Sequence, residues 1–243
     1  MIGLKDGALE HRSLRDLRRI VEEAERWDIK IALIGGYAVQ AYTRGYRFTK
    51  DIDLVTTRES EGRLRALLRL LNYKPRETEF GLAGSKRVNG DSIDLHISIG
   101  RILDISTGHS FPVTDELFKE TNNLPVHGYY KDPSQLEVEA PIVSLETLLT
   151  LKLMPVGRDK DAIDVMALLT DTSEKIEIEK FANICKTSNL TEHITTRIRK
   201  YAEKIRTGQM EKIWLNTTGL RLPYAMKRKI MQLLRKALTS LRK

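Results

Sequence analysis

From Leu14 to Trp27 the apolar residues Leu14, Leu17, Ile20, Val21, Ala24 and Trp27 fall on one stripe, with charged residues between them. That spacing predicts an amphipathic helix, with Ser13 as its N-cap and Asp16 near the positive terminus. "KIALIGG" reads as a short buried strand running into Gly35-Gly36, and "YAVQAYTR" as a helix that stops at Gly45. Ile52, Leu54 and Val55 predict a second buried strand, and "EGRLRALLRLLNY" a Leu-rich amphipathic helix closed by Pro75. "FGLAGSKRV" and "DSIDLHISI" flank Asn89-Gly90, the dipeptide that best suits a two-residue type I′ hairpin. Between residues 101 and 140 the pattern weakens, although "VHGYY" and "LEVEA" are strand-like pieces that can extend a sheet. "SLETLLTLKLM" opens a helix with Ser144 as its N-cap. Past Thr170 the pattern is helical, with breaks at Asn189, Gly208 and Gly219–Pro223. The order predicts an α+β protein: a mixed sheet flanked by helices over residues 1–142, then a helical domain over 143–243.

The 243 residues are 41% hydrophobic, enough to bury a sizeable core. A single cysteine, Cys185, rules out an intramolecular disulfide and suits a reducing cytoplasm. No apolar run approaches membrane-spanning length, and "MIGLKDGALEHR" lacks the apolar core of a signal peptide, so the expectation is a soluble cytoplasmic protein with no membrane partner. The net charge of +8 is unevenly placed. From Thr195 onward there are fourteen Lys or Arg against two acids, a charge of +12. The preceding 194 residues hold 27 basic and 31 acidic residues, a charge of −4. The basic tail, with Arg197, Lys204, Lys227, Arg228, Lys229, Arg235 and Lys236 among apolar positions, reads either as a phosphate-binding surface or as a solvated helix face.

Candidate chemistry centres on "RFTKDIDLV". Asp is a poor strand former, yet Asp51 and Asp53 sit two apart, so their side chains share one face. In "SIDLHIS", Ser92, Asp94, His96 and Ser98 share the polar face of a strand able to pair beside them. Three carboxylates on one sheet face repel unless a divalent cation lies among them, and hard oxygen ligands suit Mg²⁺ or Mn²⁺ with substrate phosphates. Gly35-Gly36 before a helix supplies the complementary half: free backbone N–H groups at a positive helix terminus, with no Cβ to block close approach. His96 reads as a satisfied, partly buried histidine, and Arg47 as either a salt-bridge partner or a neutraliser of acids and phosphates. Tyr37 and Tyr42 read as packing residues.

"LIGGYAVQAYTRGYRFTKDIDLV", with the later "SIDLHIS" and "KLMPVGRDKDAIDVMALL", resembles the nucleotidyltransferase superfamily related to DNA polymerase β, and within it the AbiEii-type branch of toxins. The departure is Gly36, where many members have Ser. The resemblance implies that Asp51 and Asp53 hold metal ions bridging an NTP such as ATP, and that Asp94 completes the metal site and acts on the acceptor hydroxyl. It implies further that Gly35 and Gly36 cradle phosphates and that Lys152 reaches one. Arg47, Arg158 and Asp161 join the nucleotide-binding set. Asp161 and Asp164 then face inward to orient Lys152 or Arg158; from spacing alone, surface ion pairs serve as well. The implied reaction moves an NMP from NTP to an acceptor hydroxyl, with RNA, such as a tRNA 3′ end, as the first choice. A protein target (a cognate toxin or antitoxin partner), a small molecule, and a nucleotide- or RNA-binding module without turnover are the alternatives.

Overall fold

The computed structural model describes residues 2–88, 90–130 and 136–243. They form two compact units: Met1–Ala41, Phe48–Leu103 and Pro112–Ser144 make the first, and Tyr42–Arg47, Asp104–Phe111 and Leu145–Lys243 the second.

Helix α1 spans Ile2–Arg26, so it begins well before the stripe that predicts it. Ser13 and Asp16 are therefore not terminal residues. The Ser13 hydroxyl donates to the Lys50 carbonyl at 2.6 Å. Asp16 accepts from the Tyr73 hydroxyl at 2.9 Å and from the Lys86 ammonium at 3.0 Å. Side chains that favour caps are spent here on tertiary contacts, which is why a cap-based start is misplaced. The apolar stripe is nonetheless real: Leu14, Leu17, Ile20 and Ala24 are fully buried.

Strand β1 (Ile31–Ile34) leads directly into α2 (Gly35–Tyr42), and β2 (Ile52–Thr56) into α3 (Glu61–Leu70). A short β3 (Arg76–Thr78) precedes the hairpin of β4 (Gly81–Val88) and β5 (Asp91–Ile99). Val88 pairs with Asp91, leaving a two-residue connection as the sequence predicts. Gly90 has φ of +90°, whereas Asn89, on which the turn type depends, lies outside the described residues. The short strands β6 (Arg101–Leu103) and β7 (Ser110–Pro112) follow, then α4 (Asp115–Lys119), β8 (Asn122–Val126) and β9 (Val138–Ile142). The last two show how the weakly patterned region extends the sheet, although Tyr129 and Tyr130 of "VHGYY" lie beyond the strand.

Seven strands form one mixed sheet in the order β3-β4-β5-β2-β1-β9-β8. β2 runs antiparallel to β1 and parallel to β5, and β5 is antiparallel to β4. Ile52, Leu54, Ile93, Leu95 and Ile97 are buried, and together they form one packed face of the three central strands.

The second unit holds α5 (Leu145–Leu153), α6 (Asp159–Asp171), α7 (Ile178–Thr187), α8 (Thr191–Arg206), α9 (Gln209–Thr218) and α10 (Tyr224–Ser240). Asn189, Gly208 and Gly219, the predicted breaks, carry positive φ of 56°, 77° and 69°. Leu148, Ile163, Leu168, Phe181, Ile194 and Ile198 supply its apolar core. Among the described residues, no helix is long and apolar enough to cross a membrane.

Candidate active site

The register of β2 against β5 places the opening pair of acids. Ile52 is aligned with Leu95 and Asp53 with His96, so Asp51, one residue earlier, is alongside Asp94. In a parallel ladder aligned side chains point the same way. Asp51, Asp53, Asp94 and His96 therefore share the face opposite the apolar one, each partly exposed. The hairpin register extends this face to β4: Ala83 is aligned with His96, Ser85 with Asp94, and Arg87 with Ser92.

Electrostatics follow this grouping. Burial pushes the Asp51 carboxyl above its ordinary value, and the charges of Asp53 and Asp94 push the same way against His96 and Lys50. His96 Nδ1 lies 3.2 Å from Asp53 Oδ1, and that hydrogen bond holds the imidazole above its ordinary pKa despite partial burial. The ring edge of Phe80 closes on His96, with centroids 5.9 Å apart. The partly buried, satisfied histidine of the sequence reading is thus bonded to one of the acids. Among the described residues, no three acid, imidazole or thiol side chains are already gathered into a set that encloses an ion.

Gly35 shows what the face is shaped to admit. Its φ is +74°, a region that suits glycine, and a Cβ built there would lie 2.0 Å from Asp53 Oδ2. The start of α2 and the Asp53 carboxylate are packed as closely as the absence of a side chain allows. Helix N–H groups beside hard carboxylate oxygens provide donors for a phosphate and ligands for a divalent cation together, so the residues fit a metal–triphosphate group. Gly36, the next residue, is buried within α2.

The second unit carries a buried ion network. Asp164, with a side chain only 2% exposed, accepts from Arg47 Nε and Nη2, both at 2.7 Å, and its Oδ2 lies 2.7 Å from Lys152 Nζ. Burial alone would raise the Asp164 carboxyl, but Lys152 and then Arg47 outweigh it and hold it below its ordinary value. Asp161 lies 3.7 Å from Lys152 and 2.7 Å from Arg158 Nε. The Arg158 contact joins the charges without hydrogen-bond geometry, which leaves Asp161 Oδ2 buried and short of a donor. Asp161 and Asp164 of α6 therefore face inward, and Arg47 is a salt-bridge partner. Three cations against two carboxylates leave one positive charge. Tyr37 is fully buried, and so packs.

Sequence reasoning missed Ser85 and Arg87 on the acid face. Counting back from the Asn89-Gly90 turn gives their alignment with Asp94 and Ser92, so the signal was present. It missed Asp171 as well, which accepts from the Arg44 backbone N–H at 2.8 Å and the Tyr46 hydroxyl at 2.8 Å; no local pattern pointed to it.

The sequence profile of the nucleotidyl transferase AbiEii toxin family, of type IV toxin–antitoxin systems, matches residues 15–229. The chain belongs to this family. As an AbiEii-family member it is a nucleotidyltransferase, of a family assigned to toxin–antitoxin systems. Comparison with curated proteins finds no match. Among solved structures it is similar to ANT(2″)-Ia in complex with adenylyl-2″-tobramycin, at 14% identity and a TM-score of 0.48, over 72% of this chain and 96% of that one. Lincomycin-bound lincosamide antibiotic adenylyltransferase LnuA is similar at 20% identity and a TM-score of 0.40, over 63% and 94%. A nucleotidyltransferase from Thermotoga maritima follows at 18% identity and 0.39, over 58% and 82%.

Proposed function

We propose that this AbiEii-family enzyme transfers an NMP from an NTP to a hydroxyl of RNA, with Mg²⁺ or Mn²⁺ held by Asp51, Asp53 and Asp94. When bound, such a cation neutralises the triphosphate oxygens and the charge that develops on departing pyrophosphate. The protein's own residues supply the rest. Gly35 and Gly36 open α2, whose first backbone N–H groups are the donors for phosphate oxygens, and the missing Cβ of Gly35 lets this turn sit against Asp53. Asp94, held by the Ser92 hydroxyl at 3.2 Å, takes the proton of the acceptor hydroxyl as its oxygen bonds the α-phosphorus and the bond to pyrophosphate breaks. His96 braces Asp53 from the neighbouring strand. In the second unit Asp161 and Asp164 fix Lys152, Arg47 and Arg158 into a cationic group with charge to spare for an anionic substrate.

RNA as the acceptor rests on one observation: the basic surface of α8, α9 and α10. Arg199, Lys200, Lys212, Arg221, Arg228, Arg235 and Lys236 are exposed. Of the three acids of these helices, Glu203 is taken by Arg206 at 2.6 Å and Glu211 by Lys227, while Glu192 lies in the first turn of α8. Arg197 does not join the surface; it is buried, donates to the Leu153 carbonyl at 3.1 Å and stacks over Tyr201. Lys229 is paired with Glu174 at 2.6 Å.

The test is labelled-NMP transfer to a tRNA pool and tRNA binding across a salt series. Replacing Arg228, Arg235 and Lys236 together by Gln should weaken tRNA binding and flatten the salt slope by about 2 to 3, at roughly 0.7–0.9 per phosphate contact. NTP binding should stay unchanged. Asp94→Asn should keep NTP binding and lose transfer. Absence of both transfer to RNA and salt-dependent tRNA binding in the wild type would overturn RNA as the acceptor.

A further inference from the structure

We propose that Arg87, with Ser85 beside it, binds a backbone phosphodiester of the acceptor immediately next to the reacting hydroxyl. The inference rests on the reading of RNA as acceptor and deepens it by naming the group recognised.

The acid face has a direction. Its phosphate-donor end is fixed by Gly35, which packs against Asp53 on β2. Moving across the sheet, β5 contributes Asp94 and β4 contributes Ser85, the residue aligned with it. Two further residues along the hairpin, the aligned pair is Ser92 and Arg87. Strands lie about 4.8 Å apart and alternate residues about 7 Å, so Arg87 stands one row out from Asp94 and two strands from β2. It is thus on the far side of Asp94 from the triphosphate cradle.

The chemistry of this corner suits a phosphodiester. Arg87 and Ser85 are exposed, whereas the neighbouring Ala83 is buried. Asp94 takes its hydrogen bond from the Ser92 hydroxyl, so the Arg87 guanidinium is not consumed in bracing the carboxylate. A guanidinium carries five donors and no acceptor, in a fork that matches two phosphate oxygens, and a serine hydroxyl adds a sixth donor. The Lys50 ammonium donates to the Ser92 carbonyl at 2.9 Å and adds positive charge at the same end of the strands. An acceptor that offers a hydroxyl to Asp94 meets a cation next. A 3′-terminal nucleoside places its own 5′ phosphodiester there with favourable charge, while a polycationic sugar meets repulsion. The same corner therefore selects for nucleic acid against cationic small molecules.

The experiment pairs a protein change with a matching change in the substrate. Transfer is measured with a short RNA whose last phosphodiester is native or a neutral methylphosphonate, using wild type, Arg87→Ala and Arg87→Lys. In wild type the neutral linkage should raise the acceptor KM about tenfold, the usual size of one charge-assisted contact. Arg87→Ala should show that same rise with the native RNA and no further rise with the neutral linkage. Arg87→Lys should fall between, and the NTP KM should stay constant throughout. If wild type extends RNA and Arg87→Ala extends it equally well, or if only the NTP KM moves, the proposal fails while the acceptor reading stands. If wild type transfers nothing to RNA, both fall together.

Discussion

Replacing Gly35 by Ala tests the packing on which the candidate site depends. The added Cβ would meet Asp53 Oδ2 at 2.0 Å and the Asp53 Cβ and Cγ at 2.6 Å, where ordinary contact begins at 3.4 Å. The carboxylate oxygen must therefore retreat by more than 1 Å, since 3.4 − 2.0 is 1.4 Å. The backbone adds its own cost, because φ of +74° is left-handed and disfavours any Cβ by about 1–2 kcal/mol. The total loss of stability should be about 2–4 kcal/mol, within the range of strained single substitutions. A 1 Å displacement of a reacting group costs on the order of a hundredfold in rate, and Asp53 is proposed to hold the metal. Urea unfolding and labelled-NMP transfer, measured side by side, check both figures. Gly62→Ala is the control: a Cβ there meets nothing within 4 Å in α3, so stability should hold or rise by up to about 1 kcal/mol with activity unchanged. Near-wild-type transfer and metal-dependent NTP binding in Gly35→Ala would refute the assignment of this junction as the phosphate cradle.

Asp164→Asn should destabilise the helical unit by about 3–5 kcal/mol, since it removes the buried charge that Arg47 and Lys152 both contact at 2.7 Å, and chemical unfolding measures it. Because the folded carboxyl lies below its ordinary value, its contribution is complete above about pH 4 and is lost as pH falls through the folded value; Asp164→Asn should remove that acid-side slope. His193 behaves in the same sense, at a higher pH. Burial, with the tilted His109 ring 4.0 Å away and Arg197, holds its imidazole below the ordinary value, and the ring bonds the Met154 carbonyl at 2.7 Å. The unfolded chain then binds the proton more readily, so stability should fall as pH drops below about 6.5, and unfolding midpoints from pH 5 to 7 should flatten in His193→Gln.

Most of the fold was legible because local pattern and final structure agree. Alternation in "SIDLHIS" and the 3.6-residue stripes each respond to burial on one face, and burial is what the sheet and helices deliver. The helix start at Ser13 failed because a serine that bonds a distant carbonyl looks, in sequence, like one that caps. The shared face of Asp51, Asp53 and Asp94 could be anticipated from period two, but the pairing of β2 with β5 rather than another strand is a tertiary fact. Arg47 could be read as a salt-bridge partner, but its pairing with Asp164, and that of Asp171 with Arg44 and Tyr46, were invisible to pattern: these pairs lie more than a hundred residues apart, and no periodicity spans that distance.

The second unit takes Tyr42–Arg47 from between two stretches of the first, which makes its assembly a matter of timing. Arg47 leaves the ribosome 117 residues ahead of Asp164, a wait of roughly 6–25 seconds at ordinary rates of synthesis. Until then Arg47 lacks the Asp164 carboxylate that its guanidinium clasps in the folded chain. A gene fragment beginning at Leu145 inherits the mirror-image defect, with Lys152 still facing Asp164 but the guanidinium missing. Cutting this chain in two at the obvious boundary would separate charges that the intact polypeptide brings together.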